Sequence, residues 1–158
     1  MGIDKASVVI VDDEDMVITS VRAYLQLETD FDVHGFTVPE QAVKHMESNS
    51  IDLALSDYMM PGMNGIEVLT KAKQLQPEAS RVLLTGHADK QSAIQAINDV
   101  GLYQYVEKPW ENAQLLLIIQ NGVERARLLR ELRTKVSELD DAHASLKNVQ
   151  KRLLQAFL

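Results

Sequence analysis

The 158-residue sequence predicts an α/β fold: a doubly wound parallel sheet of five strands, in the order 2-1-3-4-5, whose last helix runs on into a long C-terminal extension. Three observations predict it. Short β-branched or aliphatic runs alternate five times with segments of helical periodicity. The connections between them are short, which leaves only a few topologies once crossovers are right-handed. Several of the runs also end directly in charged or hydroxyl residues, so polar chemistry gathers at one edge of the sheet, where ligands of open α/β sheets bind.

Taken in order, Ser7–Val11 (SVVIV) is a β-branched strand that stops at Asp12, Asp13, Glu14 and Asp15. Residues 16–27 place Val17, Ile18, Val21, Tyr24 and Leu25 at helical spacing, giving an amphipathic first helix. Residues 31–36 alternate Phe31 and Val33 with Asp32 and His34, as an edge strand with one wetter face would. Pro39 opens a second helix through Met46, since proline fits a first helical position. The run 51–57 (IDLALSD) reads as a central strand buried on both faces and ending at Asp57. Pro61, Gly62, Asn64 and Gly65 then turn the chain into a helix over 66–75, with Ile66, Leu69 and Ala72 inward and Pro77 as its stop.

Residues 81–85 (RVLLT) form a fourth strand ending in a hydroxyl and Gly86. A helix over 89–97 follows, with Ala93, Ile94, Ala96 and Ile97 as its apolar positions and Gly101 closing it. The fifth strand, 102–106 (LYQYV), leads into Glu107, Lys108 and Pro109. Trp110 packs at the start of a last helix near Glu111. The order 2-1-3-4-5, the flavodoxin-like arrangement, sets strands 1 and 3 side by side, so that Asp12, Asp13 and Asp57 converge where the strand order reverses.

Composition narrows the chemistry. A hydrophobic content of 46% supports a true core, and the absence of cysteine excludes disulfides, thiolate metal sites and thiol redox reactions. Neither a signal peptide nor an apolar run of about 18 residues is present, which favours a cytoplasmic location and no membrane partner. Residues 1–123 carry 8 basic and 18 acidic side chains, net −10, whereas 124–158 carry 8 and 5, net +3. An acidic body of this kind is a poor nucleic-acid binder, and no helix-turn-helix follows it.

Three carboxylates within about 4 to 6 Å repel by roughly 3 to 4 kcal/mol per pair at an effective dielectric near 20, so they call for a cation. An all-oxygen site with few carboxylates suits Mg²⁺ (or Mn²⁺), and Mg²⁺ characteristically brings phosphate oxygens with it. Three carboxylates, one divalent ion and Lys108 sum to about zero charge. Asp57 is then the natural nucleophile for an aspartyl phosphate, with the metal and the lysine offsetting charge on the phosphoryl oxygens.

Asp12-Asp13, Asp57 with the following MMPGMNG, Thr85-Gly86, Tyr105 and Lys108-Pro109 stand at successive strand ends. With these residues the chain resembles the receiver domain of two-component response regulators over about residues 5–123. The resemblance implies that Asp57 is the phosphoacceptor. It implies a metal site of Asp12, Asp13, Asp57 and the Met59 backbone carbonyl. It also assigns Thr85, Gly86, Tyr105 and Lys108 to phosphate binding and switching, with a cis bond before Pro109. Met59 and His87 would tune how fast the phosphoryl group is lost, and Met59 departs from the polar residue common at its position. The implied partner is a sensor histidine kinase or phosphotransfer protein. Such a chain is a switch that catalyses only its own phosphorylation and dephosphorylation.

Beyond residue 123 the period changes. Leu132, Leu139, Leu146 and Leu153 recur every seven residues, with Leu129, Val136, His143, Gln150 and Phe157 between them. Leucine at each d position favours a parallel two-stranded coiled coil, and polar residues at a positions set register at a cost in stability. The reading is thus a receiver domain over 1–123 and a dimerising signalling helix over 124–158. The uncapped apolar end at Ala156-Phe157-Leu158 points to a continuation into an effector domain. Two other functions compete with this one. The first is a dimeric interaction adaptor that works without phosphorylation. The second is an aspartyl-type phosphatase, disfavoured because Asp57-Tyr58-Met59 lacks a second acid two residues on. His34, His45 and His143 show no ligand-like spacing.

Overall fold

Five strands and five principal helices alternate along the chain: β1 (Ser7–Val11), α1 (Asp15–Glu28), β2 (Asp32–Phe36), α2 (Pro39–Ser48), β3 (Leu53–Asp57), α3 (Gly65–Leu75), β4 (Ser80–Thr85), α4 (Lys90–Ala96), β5 (Gln104–Glu107) and α5 (Asn112–Ala156). The computed structural model describes residues 4–157, and His87 by its backbone alone. All strand pairs are parallel and the order is β2-β1-β3-β4-β5. The expected architecture is therefore the observed one.

Strand periodicity sorts the core into two layers, because successive side chains leave opposite faces of a pleated sheet. Val9, Val11, Ala54 and Leu83 face α2, α3 and α4, meeting Ala42, Met46, Val68, Leu69, Ala72, Ala93 and Ala96. Val8, Ile10, Leu53, Leu55, Val82 and Leu84 face α1 and α5, meeting Ile18, Val21, Leu25, Leu115, Ile119 and Val123. Each fully buried Leu, Ile or Val contributes about 1.5 to 3 kcal/mol of burial. That double coverage is why β3 and β4 are buried along their whole length, while β2, at an edge, is only half-buried.

The fourth helix departs from its expected form. Lys90–Ala96 is α-helical, and Ile97–Gly101 continues as a π-helical turn that ends at Gly101 with φ +68°. Ala93, Ala96 and Val100 face the sheet, whereas Ile94 and Ile97, expected in the core, are 41% and 36% exposed. A narrow stripe of small residues suffices here, and an isoleucine one position off that stripe lies on the outer face. In α3 Leu69 and Ala72 are buried as expected and Val68 joins them, while Ile66 is only partly buried, for the same reason.

By internal contacts the chain divides into a unit ending at Ala126 and a second beginning at Arg127. Within the first, α5 lies close against the sheet at Gly122. A Cβ there would come within 2.6 Å of Leu53 Cδ1, and the Ser80 hydroxyl donates to the Gly122 carbonyl at 2.6 Å. Among the described residues, none beyond Ala126 is buried. No helix is long and apolar enough to cross a membrane, among those described.

Candidate phosphoryl-transfer site

The pairing of Val11 with Ser56 sets the ends of β1 and β3 side by side, so the residues that follow, Asp12 and Asp57, share one edge of the sheet. One carboxylate oxygen from each of Asp12, Asp13 and Asp57 lies within 4.8 Å of the others. Asp12 and Asp57 are buried and Asp13 is exposed, so the cluster opens to solvent on the Asp13 side. Asp12 is held from below by the Glu14 amide, which donates to its Oδ1 at 2.9 Å.

Lys108 enters from the connection after β5, where its backbone amide donates to the Thr85 carbonyl at 2.9 Å. Its Nζ stands 3.0 Å from Asp57 Oδ1 and 3.5 Å from Asp12 Oδ2. The Lys108-Pro109 peptide bond is cis. Thr85 is fully buried at the end of β4, its hydroxyl donating to the Gly86 carbonyl at 3.1 Å. Tyr105 is partly buried against the α2–α4 side of the core, and Trp110 packs against the other side. Met59 is 61% exposed at the rim, and the His87 side chain lies outside the described residues.

The loop after Asp57 is built to stay close. The Gly65 amide donates to the Tyr58 carbonyl at 2.8 Å, and a Cβ on Gly65 would collide with the Asp57 carbonyl oxygen. Asn64 caps α3 reciprocally with Glu67, which fixes where that helix begins. Along the chain Gly65 is a turn residue between Asn64 and the helix that follows. Its role as the only residue type that admits the backbone of the Asp57 strand depends on a contact between chain segments that only folding creates.

Charge in the cluster is unbalanced. Burial, reinforced by the negative charge of Asp57, pushes the Asp12 carboxyl above the ordinary carboxylate range despite the opposing Glu14 amide and Lys108. Burial also works against charge on Lys108, but the hydrogen bond it donates to Asp57 and the charges of Asp12 and Asp57 outweigh it and hold the ammonium above the usual lysine value. Among the described residues one cation thus faces three acids, and the donor set is entirely oxygen. A small, hard divalent cation fits that set and would relieve the cost of ionising Asp12.

A family model for the response regulator receiver domain matches residues 8–120. The chain belongs to that family. It is 28% identical over 145 residues to the hydrogenase transcriptional regulatory protein HoxA of Bradyrhizobium diazoefficiens, covering 92% of this chain and 30% of that protein. Among solved structures it resembles a response regulator receiver domain protein from Clostridium thermocellum, at 28% identity and a TM-score of 0.73, covering 78% of this chain and 98% of that one. It likewise resembles the signal receiver domain of an HD domain-containing protein from Pseudomonas fluorescens Pf-5, at 27% identity and a TM-score of 0.73, over 78% and 98%. The chain thus spans under a third of the length of the HoxA relative, and the family it matches is the receiver domain of response regulators.

Two features of this receiver have no signature along the chain. His34 and His45 lie on different elements, yet their rings meet at 4.6 Å, with Asp32 Oδ2 3.2 Å from His34 Nε2. Spacing along the chain gave no hint of this, because β2 and α2 approach only in the fold. Arg81, expected as an unremarkable strand start, is buried and donates to the carbonyls of Pro77, Ala79 and Gly101, tying the end of the π-helical turn to β4.

Proposed function

We propose that this receiver accepts a phosphoryl group on Asp57 from a sensor histidine kinase or phosphotransfer protein, and that residues 124–158 carry the resulting state through a dimeric helix to an effector domain. The observation that carries the reading is the placement of Lys108 Nζ at 3.0 Å from Asp57 Oδ1, with Asp12 and Asp13 completing an oxygen cluster beside it. On this reading 1–123 is the receiver domain and 124–158 the signalling helix, in a cytoplasmic protein.

Asp12, Asp13, Asp57 and the Met59 carbonyl would hold Mg²⁺ (or Mn²⁺), which supplies charge neutralisation for the phosphoryl oxygens. An Asp57 carboxylate oxygen attacks phosphorus, a new P–O bond forms, and the bond from phosphorus to the donor nitrogen breaks, its electron pair staying with the donor imidazole. Lys108 neutralises the transferred group. Return is hydrolysis: water adds to phosphorus and the Asp57 carboxylate leaves with the electron pair. Met59 and His87 would tune how fast that hydrolysis runs, as the family resemblance implies.

Replacing a carboxylate by its phosphate adds about one negative charge and new acceptor oxygens. The Thr85 hydroxyl, now given to the Gly86 carbonyl, would turn to a phosphoryl oxygen, with the Gly86 backbone beside it, and Tyr105 would move inward behind it. That is a two-state element biased by new charge. HoxA is by name a transcriptional regulator, and the Pseudomonas receiver belongs to an HD domain-containing protein, so the helix serves an effector whose class the receiver leaves open.

The test is incubation of the chain with acetyl phosphate and Mg²⁺, followed by intact mass. One phosphoryl adduct that is lost in Asp57→Asn and in EDTA supports the reading. An unmodified chain would favour the phosphorylation-independent adaptor.

A further inference from the structure

The tail carries more apolar surface than one coiled-coil seam uses. Leu132, Leu139, Leu146 and Leu153 are flanked on one side by Leu129, Val136, His143, Gln150 and Phe157. On the other side stand Leu128, Lys135, Ala142, Val149 and Ala156, each one residue earlier. Leu128 and Val149, on this second flank, are 57% and 42% exposed, and Ala142 and Ala156 are exposed as well. Either flank, combined with the same leucines, gives the alternating three- and four-residue spacing of a heptad seam.

We propose that the tail pairs in parallel with a second copy of itself through two alternative seams that share the leucine stripe, and that the state of the receiver selects between them. The inference rests on the dimeric-helix reading above and deepens it. A second copy is the occupant because the stripe is self-complementary: identical leucines at a seven-residue repeat meet in register only against a parallel copy.

Each seam has its own defect. The first buries His143 and Gln150; the second buries small Ala142, Val149 and Ala156 well but must accommodate Lys135. Within the helix Lys135 Nζ already leans to Glu138 Oε2 at 3.7 Å, away from a seam centred on the second flank. The flanking charges exchange partners as well. In the first seam Lys135 faces Asp140 of the second copy, and in the second seam Glu138 faces His143 of the second copy. Neither arrangement is free of a polar core residue, so neither dominates. Passing between them turns each helix by about one seventh of a turn, roughly 50°. Because α5 is one helix from Asn112 to Ala156, a torque applied where it packs near Gly122 has a continuous path to the tail.

The chain contains no cysteine, so single cysteines report the seam directly. In the full chain, Leu139→Cys tests pairing itself, His143→Cys the first seam and Ala142→Cys the second, each oxidised with and without Mg²⁺ and beryllofluoride. The expected result is efficient cross-linking at 139 in both states, and cross-linking at both 142 and 143 in a ratio that beryllofluoride changes by about tenfold, an ordinary size for coupling between two sites. Adding Lys135→Leu should raise the yield at 142 and lower it at 143 in either state. Cross-linking at 139 with only one of 142 and 143 reactive, or a ratio that moves by less than about twofold, overturns the two-seam switch and leaves the dimer standing. No cross-linking at 139 overturns the dimer and the switch together, and identifies the leucine stripe as a surface for a different chain.

Discussion

The receiver unit and the tail use the same apolar residues to opposite ends. Up to Ala126, leucines and valines are enclosed on both faces of the sheet, with Val8, Leu53, Leu55, Leu83 and Leu84 wholly buried. From Arg127 onward, leucines at equally regular spacing are exposed, Leu139 at 69%. The difference is one of period and closure. Strands of period two and helices of period 3.6 close on one another within a single chain, whereas a strict seven-residue stripe on one helix has no second surface of its own. The receiver therefore carries its own stability, and on the proposed reading the tail takes its from association.

The largest effect expected separates the chemistry of the two regions. Asp57→Asn should abolish phosphoryl incorporation completely, whereas Leu146→Lys in the tail should leave its initial rate unchanged, as read by intact mass over time. A tail substitution that slows incorporation would make the dimer part of the site.

Next comes folding. Gly65→Ala forces a methyl into the Asp57 carbonyl and should destabilise the receiver by about 2 to 4 kcal/mol in urea denaturation. Leu139→Ala should move the same transition by less than about 0.5 kcal/mol, as an exposed site does. The tail answers in a different assay. Leu139→Lys combined with Leu146→Lys should convert dimer to monomer by light scattering while the receiver's transition stays in place. A double variant that melted the receiver would mean the two regions fold as one.

Mg²⁺ at about a hundredfold excess over its Kd should stabilise the receiver by about 2.7 kcal/mol, and Asp12→Asn should lose most of that. Without divalent ions the same variant should be more stable than wild type, because burial beside Asp57 disfavours the charged Asp12 carboxylate. Because the Asp12 carboxyl is raised when folded, the native state binds more protons than the unfolded chain once pH exceeds the ordinary value of 3.8. Stability in EDTA should accordingly fall as pH rises from there through the raised value, and Asp12→Asn should lack that slope. Lys108, also raised, favours the fold below its ordinary 10.5, an advantage lost as pH climbs through its folded value.

Much of the molecule was legible before folding. Every strand and helix carried its own periodicity or breaker, and the carboxylates were visible as strand endings, because the chain has to stop a buried strand before it can expose charge. The fourth helix was less so. Ile94 and Ile97 fit a helical face as well as Ala93 and Ala96 do, and only the space left above β4 decides that the small residues go inward. The His34–His45 contact, the Arg81 ties and the strict need for glycine at 65 were invisible for a related reason: each joins elements far apart in sequence.

By itself the sequence determined which side chains end strands, where helices begin and break, and that the tail repeats by sevens, since all of these follow from the local preferences of neighbouring residues. The tertiary structure alone decided that Asp12 is buried beside Asp57 and short of countercharge, that Lys108 reaches both, and that Thr85 spends its hydroxyl on Gly86. Those are distances and dielectric surroundings between segments tens of residues apart, and they come into being only when the parallel strands pair.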